Sequence, residues 1–404
     1  MKSIKEIYRI GHGPSSSHTM GPRFAAERFV KRHADASSFK VTLYGSLAAT
    51  GKGHMTDKAI IEVMQPTAPV EIVWQPDIFL PFHPNGMKFS SYNVSGSETE
   101  SWTVYSIGGG ALSEENDAGS DLNTPDIYPM THMTDILKWC EKNGRSYWEY
   151  VKEYEEEDVW DYLAEVWRVM KESINRGLEH EGVLPGPLNL QRKATTYYIK
   201  ANGYKPSLQS RGLVFAYALA VSEENASGGE IVTAPTCGSC GVMPAVLYHL
   251  MKVRDFSDIR IMRALATAGL VGDIVKENAS ISGADVGCQG EVGVACAMAA
   301  AAANQLFGGS PSQIEYAAEM GLEHHLGMTC DPVCGLVQIP CIERNAYAAA
   351  RALDVNLYSS FTDGMHRVSF DRVIEVMKET GHALPSLYKE TGEGGLAKDY
   401  SPMK

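Results

Sequence analysis

The 404-residue sequence predicts an α+β fold, with a small N-terminal α+β domain followed by a larger all-α domain. Residues 1–110 alternate helical and strand patterns, and their strands suit a mostly antiparallel sheet. Residues 111–130 are polar and rich in turn-forming residues, which is typical of a linker. Residues 131–404 carry helical patterns almost throughout. We therefore expect two domains joined by a linker.

The elements of the N-terminal domain are predicted from the spacing of apolar residues. Helices are predicted at residues 20–32 and 57–64, and strands at residues 40–47, 70–74, 87–94 and 100–108. The last two strands form a hairpin around Ser95-Gly96-Ser97. Strands that alternate with short helices in this way indicate a helix-covered sheet.

The second domain is predicted as a bundle of packed helices. Helical spacing is found at residues 146–178, 213–222, 259–271, 291–307, 313–322, 344–353 and 370–380. Ser310 is the predicted N-cap of the helix at 313–322, with Pro311 at its first position. The acidic run at residues 155–158 is interpreted as a solvated helix face.

Composition and charge exclude several classes of protein. The chain is 44% hydrophobic and 21% charged, as in ordinary globular proteins, and its formal net charge of −13 argues against binding to nucleic acid or to an anionic membrane. Eight cysteines are too few for a disulfide scaffold. No signal peptide and no charge-free apolar run of membrane-spanning length is recognised. These features predict a reducing, cytoplasmic setting.

Three cysteines are the strongest candidates for metal ligands. Cys288 stands just ahead of the alanine-rich helix predicted at 291–307, while Cys330 and Cys341 fall in a stretch that prolines and a glycine should keep irregular. Their separations are too long for the close cysteine pairs of a zinc finger. If they converge, three cysteines would hold a cluster with one metal corner not bound by protein. The structural alternative is three small buried residues beside a core helix.

The motifs around these cysteines resemble one family. GCQGEVG around Cys288, TCDP around Cys330 and VQIPCIERN around Cys341 resemble the alpha domain of bacterial iron–sulfur L-serine dehydratases (L-serine ammonia-lyases), in their single-chain form. The resemblance implies that the three cysteines hold a 4Fe-4S cluster whose fourth iron is open. It also implies a homodimer that acts on a small amino-acid substrate.

The glycine- and serine-rich loop GHGPSSSHTMGP, residues 11–22, is a candidate anion site. Its backbone N–H groups and the side chains of Ser15, Ser16, Ser17 and His18 could bind a carboxylate ahead of the helix at 20–32. The structural alternative is an N-cap, for which one serine would be enough. The loop also resembles the opening of the serine dehydratase beta domain, which favours the anion site.

Two further polar residues of the N-terminal domain are candidates. His54 lies in the glycine-flanked loop TGKGHMTD after a predicted strand, where ligand sites concentrate. A lone histidine is more often a surface or structural residue, but the family resemblance implies that His54 is the general base. Asn85, in HPNGM, is explained locally as part of an Asn-Gly turn. The resemblance implies that it contacts the substrate.

The alpha-like region holds a second candidate anion loop at residues 233–241, in which Thr236 and Gly238 would bind the substrate carboxylate. Here the sequence departs from the family pattern, with Cys237 and Cys240 at positions where asparagine and alanine are more usual. The pair could be redox-active or bind a metal, although packing of small residues is favoured. Cys334, where a small residue is expected, leaves open a different ligation of the cluster.

The resemblance implies dehydration and deamination of L-serine to pyruvate and ammonia, with the open iron acting as a Lewis acid on the β-hydroxyl. Within this chemistry, L-threonine and L-cysteine are alternative substrates. A non-catalytic iron–sulfur or amino-acid sensor and a catalytic zinc site are alternatives of other classes. A pyridoxal-phosphate enzyme would need a Schiff-base lysine, and no lysine lies in a convincing setting. The C-terminal KETGEGGLAKDYSPMK contains no cysteine, so self-blocking by a C-terminal cysteine is not expected.

Overall fold

A computed structural model describes residues 1–115 and 125–400. Its strands are β1 (Ile10–His12), β2 (Ser38–Tyr44), β3 (Val70–Gln75), β4 (Gly86–Tyr92), β5 (Glu98–Gly108), β6 (Ala111–Ser113) and β7 (Glu230–Val232). Five of them form one sheet in the order β3-β2-β4-β5-β6, in which only β2 and β3 are parallel neighbours. The prediction of a small domain with a mostly antiparallel sheet is confirmed.

Helices account for most of the remaining chain, which confirms the larger all-α part. They are α1 (Gly21–Arg32), α2 (Gly45–Thr50), α3 (Thr56–Met64), α4 (Met133–Asn143), α5 (Tyr147–Tyr154), α6 (Asp158–Glu179), α7 (Ala194–Asn202), α8 (Pro206–Ala226), α9 (Val242–Arg254), α10 (Asp258–Asn278), α11 (Gly283–Val286), α12 (Val292–Leu306), α13 (Pro311–Glu323), α14 (Cys341–Ser360) and α15 (Phe370–Ala383). Among the described residues, no helix is both long and apolar enough to span a membrane.

Local chemistry explains where several elements begin and end. The predicted strand at 40–47 ends at Tyr44, because Gly45 has a φ of +51° and opens α2. A π-helical turn, Ser16–Met20, precedes α1. Ser310 caps α13 as predicted, accepting a hydrogen bond from the Gln313 N–H. The predicted linker begins with β6, which pairs with β5, and its residues 116–124 lie outside the described part of the chain.

The N-terminal residues join the two parts of the molecule. Met1, Ile4, Ile7 and Tyr8 are buried in the hydrophobic core of the helical part, and β1 pairs with β7. The sheet has a separate core, in which alternate residues of β2 pack beneath α1. Residues 1–8, which the sequence assigns to the small domain, therefore pack with the helices.

The acidic run at residues 155–158 is not simply a solvated helix face, because it separates α5 from α6 within the predicted helix at 146–178. The Glu155 carboxylate accepts hydrogen bonds from Ser3 Oγ at 2.8 Å, from the Ile4 N–H at 2.8 Å and from the Tyr128 hydroxyl at 2.7 Å. A carboxylate with three such donors is a structural anchor. Glu155 thus fastens the N-terminal segment to the helical part.

Candidate active site

Three elements bring the predicted cysteine ligands to one cavity. Cys288 opens a 3-10 turn ahead of α12, and Cys330 lies in the loop after α13. Cys341 is the first residue of α14 rather than part of an irregular loop, because Pro340 serves as the N-cap and the helix continues from it. All three thiols are buried, and all three residues line the cavity.

Glu291 adds a carboxylate to this group of thiols. Its Oε2 lies 3.8 Å from Cys288 Sγ and 4.0 Å from Cys330 Sγ. The ligand atoms of these three residues all fall within 4.8 Å of one another, whereas Cys341 stands outside that distance in the same cavity. Sequence reasoning missed Glu291, although its place in GCQGEVG, immediately before α12, was visible.

Burial and mutual repulsion disfavour negative charge on the acidic groups of the cavity. A hydrogen bond with Cys288 and burial raise the pKa of the Cys330 thiol, and burial with the charges of Cys288 and Glu291 raises the pKa of Cys341. Burial also raises the pKa of Glu291. A metal centre reverses these effects, because it stabilises thiolates and carboxylates. All eight cysteines are free thiols, so this soft donor set fits an iron–sulfur or zinc centre.

His54 lines the same cavity, between α2 and α3. Its imidazole is completely buried, and neither ring nitrogen has a hydrogen-bond partner among the described residues. Its main chain is held by the Thr19 hydroxyl, which donates to the His54 carbonyl at 2.7 Å. Burial lowers the pKa of His54 from 6.5 to about 4, so the ring is neutral near pH 7. A neutral ring with free nitrogens can accept a proton.

In the loop at residues 11–22, some of the predicted side chains line the cavity and others lie behind His54. Ser15 and Ser16 line the cavity, and Ser15 Oγ also caps the π-helical turn by accepting from the His18 N–H at 3.1 Å. Ser17 Oγ lies 3.0 Å from His18 Nδ1. The His18 ring, whose pKa burial lowers well below its usual value, has its centroid 4.6 Å from that of His54. Ser17 and His18 therefore form a second layer behind His54.

The predicted loop at residues 233–241 also reaches the cavity. One of its predicted residues lines the cavity, and the other binds a residue that does. Gly238 lines the cavity, whereas Thr236 donates a hydrogen bond from Oγ1 to Glu291 Oε1 at 2.8 Å. Asn345, which sequence reasoning missed, donates to the carbonyls of Gly238 at 2.7 Å and Cys341 at 2.9 Å. It also accepts from the N–H of Gly241 at 2.9 Å. Asn345 thus joins this loop to the start of α14.

Asn85 is not among the residues that line the cysteine cavity. It lies just before β4, where its Nδ2 donates to the Ser106 carbonyl at 3.3 Å and its N–H donates to His83 Nδ1 at 3.1 Å. Its side chain is fully buried, and its Oδ1 has no partner within the described residues. The structure thus places Asn85 in the turn that precedes β4, as the Asn-Gly pattern predicts.

The cysteines that depart from the family pattern, Cys237, Cys240 and Cys334, lie away from the thiols of Cys288, Cys330 and Cys341. Cys237 and Cys240 are buried in the helical core, where burial raises the pKa of both thiols, and Cys237 Sγ lies 3.7 Å from Met20 Sδ. Cys334 is exposed, with a φ of +56°. None of the three lines the cavity. The burial of Cys237 and Cys240 in the helical core favours a role in packing over a redox or metal-binding role.

Glu390 is a second missed residue that lines the cavity. It belongs to the segment after α15, and burial together with the charge of Glu291 raises the pKa of its carboxyl to about 8. Nothing local in KETGEGGLA indicated that a residue so far along the chain would reach the cysteines. The cavity thus combines three thiols, two carboxyls and a neutral imidazole.

Comparison with known proteins places the whole chain in one family. Residues 84–397 match the family model of the serine dehydratase alpha chain, and residues 3–72 match that of the serine dehydratase beta chain. The alpha-chain match begins before β4, so it includes part of the sheet.

The similarity to curated proteins extends over nearly the full length. The chain is 41% identical to L-serine dehydratase of Streptomyces coelicolor over 98% of both chains. It is also 41% identical to L-serine dehydratase 1 of Escherichia coli and to L-serine dehydratase of Haemophilus influenzae, over 98% of this chain and 99% of each relative. The chain belongs to the serine dehydratase family.

Proposed function

We propose that this protein converts L-serine to pyruvate and ammonia, the substrate being the one that the names of its relatives state. The observation that carries the proposal is that three buried cysteines line one cavity with His54, whose neutral ring has no hydrogen-bond partner among the described residues. Loss of the Cα proton and the β-hydroxyl yields aminoacrylate and water. Aminoacrylate then tautomerises and hydrolyses to pyruvate and ammonia in solution.

We propose that Cys288, Cys330 and Cys341 hold a 4Fe-4S cluster, which when bound supplies a Lewis acid for the departing hydroxyl group. His54 accepts the Cα proton at one of its ring nitrogens, since neither has a hydrogen-bond partner in residues 1–115 and 125–400. His18 and Ser17 keep the His54 ring in place from behind. Ser15, Ser16 and Gly238 bind the substrate carboxylate, because all three line the cavity and could offer backbone N–H or hydroxyl groups to an anion.

Thr236 and Asn85 have supporting parts in this proposal. Thr236 orients Glu291 beside the thiols through its hydrogen bond. Asn85 lies just before the central strand β4, its buried Oδ1 has no partner among the described residues, and we propose that it contacts the substrate. The proposal also includes a homodimer in the reducing cytoplasm. Light scattering of the purified protein tests the dimer.

The decisive experiment measures pyruvate release from L-serine by protein purified and assayed without oxygen. The same sample is assayed again after exposure to air, with no pyridoxal phosphate added at either stage. We expect activity that air abolishes. Protein that contains its iron and sulfide but releases no pyruvate would contradict the proposal. L-threonine and L-cysteine in parallel assays identify the preferred substrate.

A further inference from the structure

The C-terminal segment contributes a side chain to the cavity that the proposed reaction leaves without a role. Glu390 lines the same cavity as His54, Cys288, Cys330 and Cys341. The surrounding residues, 389–397, read KETGEGGLA and contain three glycines. Apart from a 3-10 turn at Gly395–Ala397, the segment has no helix or strand to hold its shape, so its position must come from contacts with the rest of the molecule.

Two hydrogen bonds attach the segment to the cysteine loop. The Cys330 N–H donates to the Tyr388 carbonyl at 2.8 Å, and the Glu390 N–H donates to the Cys330 carbonyl at 2.7 Å. Glu390 has a φ of +58°, in the left-handed region. That region is unfavourable for a residue with a side chain, whereas glycine adopts it readily. Residues in this backbone region are found more often at functional sites, which makes the Glu390 side chain a candidate for a role in the cavity.

A second anchor lies on the other side of Glu390. The Leu396 N–H donates to Asp331 Oδ2 at 2.8 Å, and a Cβ at Gly395 would lie only 1.9 Å from that oxygen. Asp331 is in turn 3.6 Å from the guanidinium of Arg344, on α14. The segment is therefore held both before and after Glu390, which fixes the backbone from which its carboxylate reaches the cavity.

The two carboxylates of the cavity differ in their partners. Glu291 accepts a hydrogen bond from Thr236 and faces two thiols. Across residues 1–115 and 125–400, the Glu390 carboxylate has neither a hydrogen-bond partner nor an ion-pair partner. No lysine or arginine of the described chain lines the cavity. The Glu390 side chain is half-buried, and a cationic ligand in the cavity would stabilise its charged form.

We propose that Glu390 binds the α-ammonium group of the amino-acid substrate. This assignment rests on the proposed function, in which the carboxylate of the same substrate lies near Ser15, Ser16 and Gly238. An ammonium–carboxylate pair in a water-poor cavity is a strong, directional contact. Together the two contacts fix the rotation of the substrate about Cα and present its Cα hydrogen to His54. Glu390 thereby selects amino acids over acids that lack the amino group.

The test compares two unreactive ligands that differ in the α-ammonium group, L-alanine and propionate. Calorimetric titration of each into the iron-loaded protein without oxygen gives the preference for the ammonium group. We expect the wild type to prefer L-alanine and Glu390→Gln to lose that preference through a fall of about 10- to 100-fold in L-alanine affinity, the range of one charge-assisted hydrogen bond. Propionate affinity should change less than about twofold, since it lacks the group that Glu390 binds.

Two further variants separate binding from folding. Glu390→Gly removes the same carboxylate and suits the left-handed backbone, so its melting temperature should not fall. It should lose the preference as Glu390→Gln does. Glu393→Gln removes an equal charge from an exposed position of the same segment and should keep the wild-type preference. Iron content is measured for every variant.

The assignment is overturned if Glu390→Gln and Glu390→Gly keep the preference for L-alanine, or if both ligands weaken equally. Loss of iron in both variants would also overturn it, because Glu390 would then serve the metal centre. The proposed function fails separately, if the wild type prefers L-alanine to propionate but releases no pyruvate from L-serine. If the wild type releases pyruvate and both Glu390 variants still prefer L-alanine to propionate, only the role of Glu390 is excluded, and the proposed function stands.

Discussion

At the scale of single residues, burial decides what His54 can do. Removal from water lowers the pKa of its imidazole to about 4, so the ring is neutral and ready to accept a proton at ordinary pH. The same shift makes it a weak base, and weak bases take protons slowly from carbon. Most of the rate must then come from groups that stabilise the charge developing on the substrate.

Replacing His54 by glutamine tests its role as the base. We expect His54→Gln to lower kcat for L-serine by about 100-fold or more, since general bases contribute at least that much. The iron content and absorbance spectrum of the variant should match those of the wild type, because the proposed cluster ligands are the three cysteines and not His54. His324→Gln, at an exposed position of the turn after α13, is the control and should retain full activity. Near-normal turnover by His54→Gln would remove it as the base.

The pH dependence of kcat provides an independent check on His54. As the proposed base, His54 acts in its neutral form, and its pKa is lowered from 6.5 to about 4. Activity on the acid side is therefore lost only as the pH falls through the lowered value. We expect kcat to stay constant from about pH 8 to about pH 5, because kcat reports groups of the enzyme–substrate complex, in which Glu390 is proposed to be paired with the ammonium group. An acid limb near the ordinary pKa of histidine would contradict this.

Single replacements of the three cysteines should remove the metal centre. Cys288→Ala, Cys330→Ala and Cys341→Ala should each lose most of the bound iron and sulfide together with activity, because a cluster needs all its thiolate ligands. Cys296→Ala is the matched control, since Cys296 is equally buried in α12 but does not line the cavity. Iron and sulfide analysis of protein purified without oxygen measures the effect. Full iron content in any of the three would exclude that residue as a ligand.

At the scale of elements, Asn345 joins two loops that are far apart in the sequence. Its amide holds the carbonyls of Gly238 and Cys341 and the N–H of Gly241. The loop at residues 233–241 and the first turn of α14 are therefore joined through one side chain. This connection sets where Cys341 lies relative to the loop proposed to bind the carboxylate.

Replacing Asn345 by alanine should loosen that connection. Three buried hydrogen bonds are lost and their backbone partners remain unsatisfied, at a cost of about 2–4 kcal/mol. We expect Asn345→Ala to melt at a lower temperature and to retain less iron. Asn356→Ala, at another buried position of α14, should change iron content little. Equal iron content in the two variants would show that Asn345 does not position Cys341.

At the scale of the whole molecule, the first residues of the chain belong to the helical core. Met1, Ile4, Ile7 and Tyr8 are buried there, and Glu155 anchors their backbone. The strands of the sheet follow this segment in the chain. The buried N-terminal residues therefore link the sheet to the helices. The cavity lies where the two parts meet, since His54 comes from one and the cysteines from the other.

Loss of the Glu155 anchor should destabilise the molecule as a unit. Glu155→Ala removes an acceptor of three hydrogen bonds and should cost about 2–3 kcal/mol. The melting temperature should fall by several degrees relative to Glu156→Ala, which removes a neighbouring exposed carboxylate. Calorimetric scans at one scan rate make the comparison. Equal melting temperatures would mean that the N-terminal segment is held by its apolar side chains alone.

The sequence was sufficient to find the fold class and the cysteine motifs. Helical and strand periods are local, and motifs such as GCQGEVG and VQIPCIERN remain recognisable without coordinates. The prediction that Cys341 lies in a loop was wrong, because Pro340 begins a helix instead of preventing one. Proline suits the start of a helix as well as an irregular chain, so the local pattern did not distinguish the two.

Contacts between distant segments could not be read from the sequence. Glu291, Asn345 and Glu390 acquire their significance only when α12, α14 and the C-terminal segment meet around the cavity. The lowered pKa of His54 likewise depends on burial by residues remote from TGKGHMTD. Local sequence determines which chemical groups are present, whereas packing of segments far apart in the chain determines which groups meet and how much water reaches them.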